Sequence, residues 1–186
     1  MERALVIGHS TLVIRRAAAV VLGALLVAGA AQVSIPLPGT PVPMTLQPMA
    51  VLLVGGLLGA RLGSLSMILY LAMGAAGLPV FTPTVPLVGF ARLFGPTGGY
   101  LLAYPLAAYA VGRLADVPTW RRVTLALLAG LVLIHLGGLA QMAIITGSIS
   151  GAAQLATWPF LLGDLLKLAI LVPVLTKLTP TIRARL

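Results

Sequence analysis

Two charged side chains lie inside the last apolar stretch of the chain, where they could do chemistry. Asp164 and Lys167 are three residues apart in PFLLGDLLKLAI (159–170), so a helix places them on one face. Each charge alone near the centre of a membrane helix costs about 2.5–3.5 kcal/mol, and pairing offsets part of that. The pair could simply fix helix packing, but buried ion pairs are poor sources of net stability. An ionisable group inside a membrane instead favours a functional site.

The chemistry of this pair limits the ligands that it can hold. A carboxylate accepts hydrogen bonds and an ammonium donates them. Together they match a small polar head in which N–H donors adjoin a carbonyl acceptor, as in a cyclic urea. The same pair can relay protons, and the residue types alone leave both interpretations open.

Two more polar side chains lie where the chain enters or leaves apolar stretches on the same predicted side. Gln47, in PVPMTLQP (41–48), can donate and accept, either to a ligand or to a neighbouring helix. Arg92 is the only basic residue predicted in an outer loop. It could grip a ligand carboxylate bidentately, or it could be a solvated loop charge.

The stretch GPTGGY (95–100) opens the fourth predicted helix. Gly98 and Gly99 permit close backbone approach, and free N–H groups at a helix start can meet an acceptor. Tyr100 could stack on a ligand, bond it, or pack as an aromatic. The stretch lacks the Gly-Lys-Ser/Thr ending of a phosphate loop.

The remaining chemistry-bearing residues argue against catalysis. His135 is predicted to bond a neighbouring helix, and with His9 as the only other histidine no histidine metal site is expected. No catalytic constellation and no nucleotide motif occurs. We therefore predict no enzyme activity, no metal and no cofactor.

The composition requires a lipid environment. Of 186 residues, 60% are hydrophobic and 8% charged, with a mean hydropathy of +1.11, whereas a soluble domain carries about 25% charged residues. The net charge of +9 does not indicate a nucleic-acid surface, because the basic residues are scattered between apolar runs. We expect an all-α, multi-pass plasma-membrane protein with a single domain over residues 1–186.

Apolar runs and their Pro- and Gly-rich breaks predict six transmembrane helices, each near the minimum crossing length. The twin Arg15 and Arg16 before the first run imitate a signal peptide, but the chain that follows favours a retained helix. The predicted spans are 16–34, 44–60, 62–77, 96–114, 123–146 and 156–176.

The basic residues orient these spans. With both termini cytoplasmic, ten of the twelve fall on the inner side, Arg92 on the outer side and Lys167 in the membrane, as the positive-inside rule expects. The ten inner residues are Arg3, Arg15, Arg16, Arg61, Arg113, Arg121, Arg122, Lys177, Arg183 and Arg185.

Small residues recur at four-residue spacing, which lets helices approach closely in lipid. Gly55, Gly59 and Gly63 follow this spacing, and on the first helix Ala19 precedes Gly23 and Ala24 precedes Ala28. Packing within the chain is favoured over a surface for a partner.

Four stretches together resemble the biotin-binding S components (BioY) of energy-coupling-factor transporters, over about residues 19–170. The stretches are VPMTLQP (42–48), GAAGLPVF (74–81), FGPTGGYLLAY (94–104) and PFLLGDLLK (159–167).

The resemblance implies a six-helix subunit that captures biotin near its outer face. It implies that Asp164 and Lys167 hold the biotin head group, that Gln47 lies in the pocket and that Arg92 meets the carboxylate. It also implies work with a membrane coupling subunit and cytoplasmic ATPase subunits. An S component for another vitamin, and a proton-coupled carrier that uses Asp164, are the alternatives.

Overall fold

The computed structural model describes residues 2–186, and side chains from Thr11 onward. The side chains of Arg3 and His9 lie outside the described residues. The described chain is mostly helical. Its elements are α1 (Glu2–Gln32), β1 (Ser34–Ile35), β2 (Met44–Thr45), α2 (Gln47–Ala75), a 3-10 helix (Gly89–Phe94), α3 (Gly98–Leu114), α4 (Trp120–Thr146), α5 (Ile149–Ala156) and α6 (Trp158–Arg183).

Four stretches of the described helices are long and apolar enough to cross a membrane. They are Thr11–Gln32, Gln47–Ala75, Trp120–Thr146 and Trp158–Arg183. Many of their large apolar side chains are exposed in the isolated chain, including Leu22, Leu136 and Leu166. Lipid can cover these side chains, so the interpretation of the composition as that of a multi-pass membrane protein is confirmed.

Helix α2 consists of two arms that fold back on each other at Gly59. Gly59 has φ 83° and ψ 175°, a backbone conformation that only glycine adopts readily. A Cβ added at Gly63 would lie 2.8 Å from the Cα of Gly55, although eight residues of straight helix would span about 12 Å. Farther from the Gly59 turn, the Gln47 amide of the first arm donates a hydrogen bond to the Tyr70 hydroxyl of the second arm. The sequence predicted two helices here, but placed the break at Arg61.

The connections predicted to lie on the outer side contain more regular structure than the sequence predicted. Two short strands pair antiparallel, Ser34 with Thr45 and Ile35 with Met44, so the chain is not wholly all-α. The prolines between these strands exclude a helix, as expected. The segment predicted as a link, 147–154, lies mostly in α5, where the Ser148 hydroxyl caps the helix by accepting from the Gly151 N–H.

Two helices extend beyond their predicted ends. The first helix begins by Glu2, whereas residue 16 was predicted. Helix α6 continues to Arg183 through Pro173 and Pro180, whereas it was predicted to end at residue 176. These prolines remove backbone donors without ending the helix, which membrane helices tolerate when neighbouring groups satisfy the freed carbonyls.

Close helix approach depends on the small residues. A Cβ added at Gly55 would lie 2.5 Å from the Ala108 carbonyl oxygen of α3, and one at Gly23 would lie 2.6 Å from Ser66 Oγ of the second α2 arm. Ala24 and Ala28 are also buried. The prediction that these spacings serve packing within the chain is therefore confirmed at Gly23, Gly55 and Gly63.

One arginine joins three elements at the end of the molecule that holds the Gly59 turn. Arg183 donates to the Gly56 carbonyl at 2.7 Å through Nη2 and to the Gly112 carbonyl at 3.1 Å. It also pairs with Asp116 at 3.2 Å. The Gly56 carbonyl needs an outside donor because the first α2 arm ends three residues later.

We expect Gly55→Ala to lower the free energy of unfolding by about 1–3 kcal/mol, because the new methyl group would overlap the α3 backbone. Gly29→Ala is the matched control, since a Cβ there meets nothing within 4 Å; it should leave stability unchanged or raise it slightly. Thermal unfolding of the purified proteins in detergent measures both changes. Equal stability of the two variants would contradict the close approach of α2 to α3.

Candidate functional site

A cavity of about 40 Å³ lies between the start of α2, α3, α4, α6 and the loop that contains the 3-10 helix. Five of the seven predicted site residues line it. These are Gln47, Arg92, Tyr100, Asp164 and Lys167. The structure thus brings together side chains that are up to 120 positions apart in the sequence, from 47 to 167.

The Asp164 carboxylate is held from two helices. It is 4% exposed, and its Oδ1 accepts from Lys167 Nζ at 2.8 Å. Its Oδ2 lies 3.0 Å from Nε2 of His135 on α4. The two residues therefore face a cavity rather than lipid, and the carboxylate has a donor on each oxygen.

Lys167 keeps one donor for a guest. Its ammonium has three N–H groups; within the described chain one bonds Asp164 and one bonds the Thr45 carbonyl at 2.8 Å. Its side chain is 13% exposed and lines the cavity. Each Asp164 oxygen, having accepted one hydrogen bond, also retains a lone pair.

Gln47 lies beside the cavity and also makes the helix-to-helix hydrogen bond that was one of its predicted alternatives. It lines the cavity, and its Nε2 donates to the Tyr70 hydroxyl at 2.5 Å across the two arms of α2. Its Oε1 accepts from the Thr45 hydroxyl at 3.3 Å. The amide is therefore fixed in orientation before any ligand binds.

Arg92 is not the solvated loop charge that was one of its predicted alternatives. It is 1% exposed and bonds three loop carbonyls and one hydroxyl. Its partners are Thr82 O at 2.7 Å, Val85 O at 2.5 Å, Leu87 O at 2.9 Å and Thr97 Oγ1 at 3.2 Å.

These contacts use four of the five guanidinium N–H groups and leave one, on Nη2. A bidentate grip on a ligand would need two N–H groups, whereas these contacts leave one. No described carboxylate lies within salt-bridge distance of Arg92, and burial lowers its pKa from the ordinary value. An anion in the cavity would supply the missing counter-charge.

Gly98 and Gly99 do not line the cavity. A Cβ at Gly98 would overlap the Leu93 carbonyl, and one at Gly99 would overlap the Gly137 carbonyl of α4. Their lack of side chains lets α3 approach α4 and the 3-10 helix. The structure therefore shows a packing role for both glycines, and their predicted ligand contact stays a prediction.

Tyr100 has its hydroxyl bonded to the Ala156 carbonyl at the end of α5, so its ring, not its hydroxyl, is available to a guest. Tyr104, which the sequence analysis missed, lies one turn further along α3 and also lines the cavity. Its four-residue spacing from Tyr100 could have identified it. Phe81 also lines the cavity from the loop, and no sequence pattern indicates this.

His135 was predicted to bond a neighbouring helix, and its hydrogen bond from α4 to α6 confirms this. It also lines the cavity, which was not predicted. A single histidine in an apolar helix carries no sequence signal that distinguishes a packing role from a position beside a ligand.

A wider space, the vestibule, adjoins the cavity between two proline-rich connections, the one that joins α1 to α2 and the one that joins α2 to α3. Its volume is about 430 Å³, and it shares Pro43 with the cavity. The cavity itself has room for roughly three waters. A ligand larger than that needs the lining groups to move.

The cavity residues together can bind a small guest with a polar head and a negative charge. The head needs a donor for Asp164 and an acceptor for Lys167, while Asp164, Lys167 and Arg92 leave a net positive charge to be neutralised. The rings of Tyr100, Tyr104 and Phe160 provide apolar walls.

Comparison with known proteins identifies the family. The BioY family model matches residues 3–184. The probable biotin transporter BioY of Pyrococcus horikoshii is 38% identical over 138 residues, which cover 74% of this chain and 81% of that protein. The biotin transporter BioY of Thermotoga maritima is 39% identical over 148 residues, which cover 79% and 85%.

A solved structure shares the fold. The crystal structure of the S-component for biotin from an ECF-type ABC transporter has a TM-score of 0.80 at 24% identity, covering 89% of this chain and 90% of that chain. With its apolar helices and these matches, the chain is a multi-pass plasma-membrane protein that belongs to the BioY family.

Proposed function

We propose that this chain is the substrate-capture subunit of a biotin uptake system and binds biotin in the outer cavity for import. Two relatives that cover most of the chain are described as biotin transporters. The observation that carries the proposal is the adjacent acceptor and donor formed by Asp164 Oδ1 and Lys167 Nζ, 2.8 Å apart and facing a cavity.

This pair matches the edge of a cyclic urea. In such a ring the carbonyl and the neighbouring N–H point to the same side, so the ligand presents an acceptor beside a donor. Lys167 has one N–H left for the carbonyl, and Asp164 has a lone pair left for the N–H. The match is reciprocal, and a hydrocarbon head group without a donor and an acceptor does not satisfy it.

Arg92 provides the contact for the biotin carboxylate in this proposal. Its remaining N–H and its buried, uncompensated charge favour an anion in the same cavity as the head group. A charged donor gives a shorter and stronger hydrogen bond than a neutral one, and in a buried site the attraction is weakly screened.

We further propose one domain, over residues 1–186, with six spans and both termini cytoplasmic. The reversal of α2 at Gly59 supports this, because two arms that fold back on each other would cross the membrane twice. Arg183 supports it as well, since it joins the Gly59 turn region and the end of α3 at the end of the chain's last helix. The prediction that ten basic residues lie on the inner side agrees with six spans and cytoplasmic termini.

As partners we propose a membrane coupling subunit and cytoplasmic ATPase subunits, because the solved S-component with the same fold comes from an ECF-type ABC transporter. The chain has no nucleotide motif of its own, so energy for import would come from these subunits. We assign it no enzymatic step and no cofactor.

We expect Asp164→Asn and Lys167→Met each to weaken biotin binding at least tenfold, a loss of about 1.4 kcal/mol or more. Each variant removes one member of the acceptor and donor pair. Calorimetric titration of the purified protein in detergent measures the affinity, with thiamine and riboflavin as competing ligands.

Asp116→Asn and Lys177→Met are matched controls, because both residues lie outside the cavity and undergo the same chemical changes. They should bind biotin as the unmodified chain does. Full affinity in both cavity variants, or binding of another vitamin in preference to biotin, would refute the proposed function.

For Arg92 we expect a tail-specific effect. The unmodified chain should bind biotin more tightly than the neutral biotin amide, and Arg92→Gln should reduce that ratio to about one while it weakens both. Comparing the two ligands separates the carboxylate contact from the loop contacts of Arg92, which affect both ligands equally. An unchanged ratio would place the carboxylate elsewhere.

We propose that biotin reaches the cavity through the vestibule, and a cross-link tests this route. Ser34 Oγ and Thr84 Oγ1 lie 3.3 Å apart across the two outer connections, and the chain has no cysteine. Oxidised Ser34→Cys/Thr84→Cys should take up biotin at least tenfold more slowly, and a reductant should restore the rate. The single Ser34→Cys variant is the control. Unchanged uptake in the cross-linked protein would exclude this route.

A further inference from the structure

His135 has one ring nitrogen bonded and the other without a partner. Nε2 lies 3.0 Å from Asp164 Oδ2, and the residue is 8% exposed. Nδ1 is buried with no hydrogen-bond partner among the described residues. The side chain therefore makes a single polar contact, and that contact is with the carboxylate proposed to hold the ligand head group.

The surroundings of His135 determine which nitrogen carries the hydrogen. On the side away from the cavity lies an apolar crevice, lined by His135 and Thr157 together with Leu131, Val132, Leu136, Leu139 and Leu161. None of these side chains accepts a hydrogen bond from Nδ1. A hydrogen on Nδ1 would leave a buried donor unsatisfied, and would also set the Nε2 lone pair against a carboxylate. The neutral ring therefore carries its hydrogen on Nε2.

This hydrogen bond fixes the plane of the Asp164 carboxylate. Lys167, which bonds Oδ1, lies on the same helix as Asp164. This contact alone would let the carboxylate rotate about its side-chain bonds together with Lys167. The second contact, from α4, holds Oδ2 as well. With both oxygens held, the remaining lone pairs point in set directions.

We propose that His135, as the Nε2–H tautomer, is a positioning residue that orients Asp164 toward an N–H adjoining a carbonyl in the ligand. The inference rests on the proposed function, and it deepens it by naming what sets head-group selectivity. A fixed carboxylate rejects a ligand whose N–H is replaced, because the buried acceptor then stays unpaired. A mobile carboxylate can turn away and tolerate the change.

Two substitutions separate the hydrogen bond from the ring. His135→Gln places an amide N–H near the position of Nε2 and should keep biotin affinity within about threefold. His135→Leu removes the donor and should weaken binding at least tenfold. The preference for biotin over an analogue methylated at a ureido nitrogen should fall at least fivefold in His135→Leu and persist in His135→Gln.

Thr157→Val is the control for the crevice, because the Thr157 hydroxyl also has no hydrogen-bond partner in the described chain. It should bind biotin and discriminate as the unmodified chain does. Equal losses in Thr157→Val and His135→Leu would attribute the effect to crevice packing and overturn the inference. So would unchanged selectivity in His135→Leu.

The tautomer can be measured without any ligand. The chain has two histidines, so nitrogen-15 labelling of histidine in a His9→Gln variant reports on His135 alone. The nitrogen that correlates with both carbon-bound ring hydrogens is Nε2, and it should show the bonded hydrogen. A hydrogen on Nδ1 instead would overturn the inference even if biotin binds. Failure of the unmodified chain to bind biotin would refute the proposed function and leave this measurement valid.

Discussion

The contact between Asp164, Lys167 and His135 is the interaction on which the end of the molecule that holds the cavity depends. A lone carboxylate in an apolar interior is costly, and here two donors from two helices surround it. Lys167 in turn needs the Thr45 carbonyl from the strand that precedes α2. One charged group and its need for partners thus set the position of α6 against α4 and against the β1–β2 pair. The same need leaves one donor and two lone pairs facing the cavity.

Arg92 organises the loop beside the cavity in the same way, but here the buried charge is a cation and its partners are acceptors. Its guanidinium gathers carbonyls from Thr82, Val85 and Leu87, so a proline-rich segment that cannot form a regular element is shaped around a cation. Since these partners are neutral, the charge itself stays uncompensated. A wall built in this way is polar enough to hold its loop and still favourable to an anion.

The sequence singled out five residues that line the cavity but did not indicate the contacts that hold them there, and the reason is physical. Asp164 and Lys167 were identifiable because a charge in an apolar helix is costly wherever the helix lies. The loop contacts of Arg92 could not be predicted, because three of its four partners are backbone carbonyls, which every residue has and no sequence pattern distinguishes. Gly98 and Gly99 follow the same rule: a glycine reports close approach, but not whether the neighbour is a ligand or a helix.

The helices show a similar division. Apolar runs located every long helix, since burial in lipid requires them. The break in α2 was displaced by two residues, to Gly59 from Arg61, because backbone conformation rather than charge decides where a chain reverses. α5 was missed because its small, polar residues are equally compatible with a link; in the structure the Ser148 side chain caps this helix.

Helix α6 is fastened at two levels, by Asp164 and Lys167 toward one end and by Arg183 at the other. Nineteen residues separate Asp164 from Arg183, a rise of about 28 Å, and Pro173 lies midway with no backbone N–H to donate. A rod held at both ends bends where its internal bonding is weakest. A guest that shifts Asp164 or Lys167 would therefore act on a helix whose backbone bonding is interrupted at Pro173, and again at Pro180, before Arg183 joins it to two other helices.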